Sequence, residues 1–230
     1  AKAEALGYKE HIYDAMLNVY EPGLTTAQVS KVFGELRGHL VSLVSRIAKA
    51  EQPQLRVINK NYPIELQRRF CHRLMSDMGY DWTRGKVDDV IHPFCCSFST
   101  RDVRVTNNFS EQAVTKAMFT ALHETGHALY EQGSPCEWTH TPLEGGASMA
   151  VHESESRLWE NIIGRSKAFW EFYYPVFQSY FPAQTVGVDL EEFYKAVNYV
   201  TPSFIRTEAD EVTYSLHIML RFELEKALIE

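Results

Sequence analysis

Two histidines four residues apart, with a glutamate beside the first, are the densest chemistry in this chain: Ala121-Leu122-His123-Glu124-Thr125-Gly126-His127-Ala128-Leu129-Tyr130. On a helix, positions i and i+4 share one face a turn apart, so His123 and His127 can offer both imidazoles to one metal ion. Glu124 adjoins the first ligand and is placed to act on a water that such a metal activates. An H-E-x-x-H pattern can arise by chance in a chain with 9 histidines and 30 acidic residues. Here the surroundings favour a metal: Phe119, Leu122 and Leu129 flank the motif at helical spacing, and no proline interrupts it.

Zinc takes four ligands, and a hydrolytic site keeps one position open, so a third protein ligand is required. Glu153 is the best candidate, on a separate predicted helix within His152-Glu153-Ser154-Glu155-Ser156. Glu155, two residues on, points elsewhere on a helix. His152 is the nearest competitor, because imidazole also binds zinc. A metal of this kind supplies both nucleophile and electrophile, so neither Ser154, Ser156 nor any cysteine is needed as a nucleophile. Arg104 and Arg206 are the basic residues suited to a carboxylate clamp, since an arginine fork makes two parallel hydrogen bonds to a carboxylate. Each has an ordinary structural alternative: an ion pair of Arg104 with Asp102, or of Arg206 with Asp210.

The elements that must position these groups are mostly helical. Apolar positions Leu6, Ile12, Ala15, Met16 and Val19 suggest a first helix, ended by Glu21-Pro22-Gly23. Thr25 or Thr26 caps a long amphipathic helix to about Ala50, with Val29, Val32, Phe33, Leu36, Leu40, Val44 and Ile47 as its stripe. Pro63 opens another, which Gly79 stops. Residues 82–90 are turn-rich, and Asp102 to Phe109 alternates β-formers with polar residues, which predicts a small antiparallel sheet. Ser110 is the predicted cap of the metal-binding helix, which ends near Gly133. Further helices are predicted over about 144–168 and 188–200, and from about Phe204 onward. The aromatic run from Phe169 to Phe181 reads as core. The coarse picture is one mostly helical domain with a small sheet and no repeats.

Composition narrows the partners. The 230 residues are 45% hydrophobic and 13% aromatic, ample for a core, and the net charge of −7 argues against nucleic acid or an anionic membrane as the main partner. No apolar run approaches the roughly 20 residues of a membrane span. Ala1-Lys2-Ala3-Glu4-Ala5 shows no secretory h-region. The 4 cysteines, Cys71, Cys95, Cys96 and Cys136, have no C-x-x-C spacing and suit free thiols in a reducing cytoplasm, with a Cys71–Cys136 disulfide as the alternative. The absent initiator methionine and the uncapped helix pattern through Glu230 suggest a piece of a longer chain.

Five motifs in order carry a resemblance: His92-Pro93-Phe94, Asp102-Val103-Arg104-Val105-Thr106, His123 to His127, His152 to Ser156, and Ile205-Arg206-Thr207-Glu208-Ala209-Asp210-Glu211. With Tyr20-Glu21-Pro22-Gly23, they make the chain resemble the carboxypeptidase Taq family of H-E-x-x-H metallocarboxypeptidases almost end to end. The resemblance implies a mainly α, zincin-like (gluzincin-type) fold with a small antiparallel sheet beside the active-site helix. It implies a cytoplasmic, homodimeric carboxypeptidase using zinc or cobalt, which removes single C-terminal residues other than proline with broad specificity. Its substrates would be peptides with a free C-terminal carboxylate. His123, His127 and Glu153 fall on the family's metal ligands, Glu124 on its general base, and Arg104 and Arg206 in motifs tied to substrate binding. Family members are about twice as long, and a segment rich in Gly, Tyr and Phe that lines their groove has no counterpart here. The expectation is therefore a fragment that holds metal but has weak or no activity alone. The competing readings are an endopeptidase of the same architecture and an inactive module braced by zinc, for which His152 or His217 would be a fourth ligand.

Overall fold

The computed structural model describes residues 1–230. Its helices, in chain order, are α1 (Lys2–Leu6), α2 (Asp14–Leu17), α3 (Thr26–Ile47), α4 (Ile64–Met78), α5 (Val114–Gln132), α6 (Met149–Arg157), α7 (Lys167–Tyr180), α8 (Pro182–Thr185), α9 (Leu190–Val197) and α10 (Glu211–Ile229). Three strands, β1 (Gly85–Asp89), β2 (Cys95–Ser99) and β3 (Asp102–Asn107), form the small sheet. The chain divides into two compact units, one of Ala1–Gln52, Ser148–Ala150 and Tyr199–Glu230, the other of Pro53–Ala147 and Val151–Asn198.

The second unit is built around α5. One side of that helix presents Ala117, Ala121 and Ala128 to Val103 and Val105 of β3, where small side chains let helix and sheet approach closely. Another side presents Val114, Met118, Phe119 and Leu122 to Phe70 and Leu74 of α4 and to Trp170, Tyr174 and Phe177 of α7. Each large apolar side chain buried here contributes about 1.5–3 kcal/mol relative to exposure. The aromatic run thus fills the core as expected, although Phe172 stays 64% exposed. α4 runs from just after Pro63 to Gly79, whose φ of 99° closes the helix in the left-handed region.

Several expectations need correcting. The sheet, ordered β1-β3-β2, is mixed: β2 pairs antiparallel with β3, but β1 pairs parallel with it. The turn-rich stretch supplies β1 itself, and β3 then inserts between the two earlier strands. Ser110 does not cap α5. Its hydroxyl accepts from Gln112 N within a turn, and the helix starts at Val114 with no side-chain cap. The helix predicted over 144–168 starts at Met149, continues as a π-helical turn over Leu158–Ile163 and breaks at Gly164. Ser166 then caps α7 by accepting from Phe169 N. The last helix starts at Glu211, where Asp210 accepts from Val212 N and Thr213 N. The first predicted helix is two short ones, α1 and α2.

In the first unit α3 packs on α10, with Phe33 and Phe222 edge to face at 5.4 Å. Thr25 caps α3 in a reciprocal box with Gln28. The stripe of α3 is only partly covered: its Val32 and Leu36 are exposed, as are Val41 and Leu43 outside it. No helix is long and apolar enough to cross a membrane.

Candidate metal centre

α5 carries His123 and His127 on one face, and α6 brings Glu153 against them. Glu153 Oε2 stands 3.4 Å from His127 Nε2 and 3.7 Å from His123 Nε2. One donor atom from each of the three residues lies within 4.8 Å of the other two. Ligands about 2.0–2.2 Å from a tetrahedral zinc stand about 3.3–3.6 Å apart, so two imidazole nitrogens and a carboxylate oxygen in this arrangement fit such an ion.

The close approach has a cause in the motif itself. A Cβ on Gly126 would lie 2.7 Å from Ser156 Cα and 2.8 Å from the Glu155 carbonyl oxygen. Any larger residue there would hold α6, and Glu153 with it, away from the histidines.

The far nitrogens of both imidazoles are engaged. His123 Nδ1 lies 2.8 Å from Glu160 Oε2. A carboxylate only accepts, so Nδ1 carries a proton, and in the neutral ring that leaves the lone pair on Nε2. His127 Nδ1 faces the His152 carbonyl oxygen at 3.1 Å and His152 Nδ1 at 2.7 Å, while His152 Nε2 lies 2.7 Å from Glu131 Oε1. One proton arrangement satisfies all of these contacts: His127 donates from Nδ1, and His152 accepts at Nδ1 and donates from Nε2 to Glu131. His152, the competitor for the third position, thus has both ring nitrogens occupied behind His127.

Electrostatics follow this arrangement. Burial disfavours a charge on His123, but the Glu160 hydrogen bond and charge, aided by Glu153 and Glu124, outweigh it and raise the pKa. Burial pushes Glu153 up, yet His127, His123 and Arg157 more than compensate and pull it down to about 2. Glu160 is also lowered, its burial outweighed by His123 and Arg157. Glu131 is lowered mainly by the His152 hydrogen bond. Glu124 goes the other way. It is 7% exposed, and burial is the main cause of its raised pKa, against the pull of His123 and His127. It therefore holds a proton more readily than a surface glutamate.

The arginines are placed differently. Val103 and Val105 face α5, so the alternation of a strand turns Arg104 to the opposite face of the sheet. There it makes two bonds to Asp102, at 2.8 and 2.7 Å, and lies 5.0 Å from the Phe98 ring centroid. Its structural alternative is thus realised. Arg206 belongs to the first unit, in a single 3₁₀ turn, and donates to the Tyr214 hydroxyl at 2.8 Å. Asp210, the partner considered for it, is taken up in capping α10. Four residues not singled out in the sequence belong to the centre: Gly126, Glu131, Arg157 and Glu160. The last two were findable, because Glu153, Arg157 and Glu160 repeat at i, i+4 and i+7 on one helical stripe. All four cysteines are free thiols, Cys71 buried and Cys136 exposed.

Comparison with known proteins gives the family. The profile of the carboxypeptidase Taq (M32) metallopeptidases matches residues 1–230. "Carboxypeptidase 1" of Bacillus subtilis is 42% identical over 223 residues, covering 96% of this chain and 44% of that protein. "Thermostable carboxypeptidase 1" of Thermus thermophilus is 46% identical over 218 residues, covering 94% and 42%. The crystal structure of the M32 carboxypeptidase from Deinococcus radiodurans superposes with a TM-score of 0.96 at 44% identity, over 99% of this chain and 46% of that one. The chain thus spans somewhat under half the length of these relatives. With the family profile matched from first residue to last, the chain belongs to the carboxypeptidase Taq (M32) family of metallopeptidases.

Proposed function

We propose that the protein is a metal-dependent carboxypeptidase that removes single C-terminal residues from peptides. The observation that carries the reading is the convergence of His123 Nε2, His127 Nε2 and Glu153 Oε2, with buried Glu124 next to the first ligand on the same helix. The names of the relatives, carboxypeptidases all, supply the substrate class.

His123, His127 and Glu153 would hold the metal, zinc by the chemistry of the donor set, with cobalt an alternative. When bound, it supplies Lewis acidity to a substrate carbonyl and to the attacking water. Glu124 takes the proton of that water as its oxygen bonds to the scissile carbonyl carbon. It returns a proton to the amine nitrogen as the C–N bond breaks. Arg104 and Arg206 are the candidates for the terminal carboxylate. At Arg104 a substrate must displace Asp102, whereas Arg206 offers its fork from beside Tyr214. Breadth of specificity, exclusion of proline, a homodimeric assembly and a cytoplasmic setting complete the proposal. The four free thiols suit that compartment. A zinc-braced, inactive module is disfavoured because His152 is turned from the ligand group to Glu131.

The test compares one peptide as free acid and as C-terminal amide, incubated with the intact protein with and without chelator and followed by mass spectrometry. Stepwise loss from the free acid alone, stopped by chelation, is expected. Internal cuts in both peptides would make it an endopeptidase, and no cleavage by a zinc-loaded protein of the relatives' full length would end the catalytic reading.

A further inference from the structure

The geometry points to Arg157 as a positioning residue of the candidate metal centre, fixing which oxygen of Glu153 and which nitrogen of His123 face the ion. It rests on the reading of His123, His127 and Glu153 as ligands.

Arg157 touches both supports at once. Its Nε donates to Glu153 Oε1 at 2.9 Å, and its Nη1 donates to Glu160 Oε2 at 2.8 Å. The first bond holds one oxygen of the ligand carboxylate back and leaves Oε2 as the atom that faces the two imidazoles. The second holds Glu160, whose same oxygen accepts from His123 Nδ1. A single guanidinium therefore sets the orientation of two of the three ligands, one directly and one through Glu160. Its donors sit in a rigid plane, which a flexible ammonium does not reproduce. The Ser156 hydroxyl is a weaker claimant on Glu153: it donates at 2.8 Å to the backbone carbonyl and lies 3.3 Å from Oε2.

The placement follows from the helix. Glu153, Arg157 and Glu160 lie on one stripe, and the stretch Leu158–Ile163 containing Glu160 is π-helical. A π-turn closes hydrogen bonds to the fifth residue along instead of the fourth and commonly marks functional positions. Arg157 is 24% exposed, and losing it would leave two nearby carboxylates without this shared counter-charge.

The experiment uses the intact protein with Arg157→Gln, Arg157→Lys, Glu160→Gln and, as reference, His127→Ala. Zinc affinity is measured by competition with a chromophoric chelator. The visible absorption of the cobalt-loaded protein reports coordination number. Arg157→Gln is expected to weaken zinc about 10–100-fold, in the range for outer partners of metal ligands, and to change the cobalt spectrum. Arg157→Lys should recover only part of the loss. Unchanged affinity and spectrum in Arg157→Gln, with zinc lost in His127→Ala, would overturn the role of Arg157 alone. Unchanged affinity in His127→Ala would overturn the ligand reading, and this inference with it. Should Arg157→Gln fail to fold, Arg157→Lys and Glu160→Gln decide: altered cobalt spectra in folded protein support the role, and native spectra in both overturn it.

Discussion

Glu124 is the residue whose replacement separates metal binding from turnover. It is buried beside His123 but is not one of the three converging ligands, so Glu124→Gln should keep zinc while losing the proton carrier. The expected fall in kcat is about 10²–10⁴-fold, the usual contribution of a positioned general base. Zinc content by metal analysis alongside peptide turnover checks both halves. A variant that lost metal and activity together would place Glu124 in the ligand set instead. Cysteine reactivity is a second residue-level expectation. Burial pushes the Cys71 thiol up to about 12, and burial with the charges of Glu124 and Glu131 does the same for Cys95. A thiol reacts as thiolate, so at pH 8 neither should be alkylated in the folded protein, while exposed Cys136 is open to reagent. Mass spectrometry after a short iodoacetamide pulse, with and without denaturant, reads this directly.

At the scale of elements, the contact of α5 with α6 is the joint on which the centre depends. Gly126→Ala places a methyl group against backbone atoms of Ser156 and Glu155, which cannot rotate away. Overpacking of this kind costs about 1–3 kcal/mol, measurable in a urea titration, and displacing Glu153 should weaken zinc in the same variant. Gly38→Ala is the contrast. That glycine is inside exposed α3 with nothing within 4 Å of an added Cβ, and the change should stabilise by about 0.5–1 kcal/mol. The entry to the sheet has its own acid sensitivity. Asp81 accepts from the Thr83 hydroxyl and from Arg84, while Arg84 also donates to the Gln132 carbonyl at the end of α5. Its pKa is lowered to about 2, chiefly by the Thr83 hydroxyl, with Arg84 next. The folded state thus binds this proton less tightly than the unfolded chain. The stabilisation is present above the unfolded value of about 4 and is lost as pH falls toward 2. Asp81→Asn should flatten the pH dependence of the unfolding midpoint between those limits.

For the molecule as a whole, what was legible in the sequence followed from strictly local rules. H-E-x-x-H on a periodic helix needs only the geometry of one turn, and Pro63 and Gly79 bound α4 by their own backbone chemistry. Glu153 was reachable because zinc chemistry demands a third ligand. The rest depended on tertiary partners. The start of α5 moved past Ser110 because that hydroxyl was used in a turn, and β1 became a parallel strand only because β3 inserts beside it. Arg104 reads equally well as a clamp or an ion pair in sequence, and the alternation of β3 settled which way its side chain turns. The metal-dependent chemistry rests on one assignment, three donors to one ion. Zinc-edge anomalous diffraction from crystals of the zinc-loaded intact protein tests it most directly. One strong peak is expected about 2.0–2.2 Å from His123 Nε2, His127 Nε2 and a Glu153 oxygen, with His152 still on Glu131. A peak ligated by His152 in place of Glu153, or none at these residues, would contradict it.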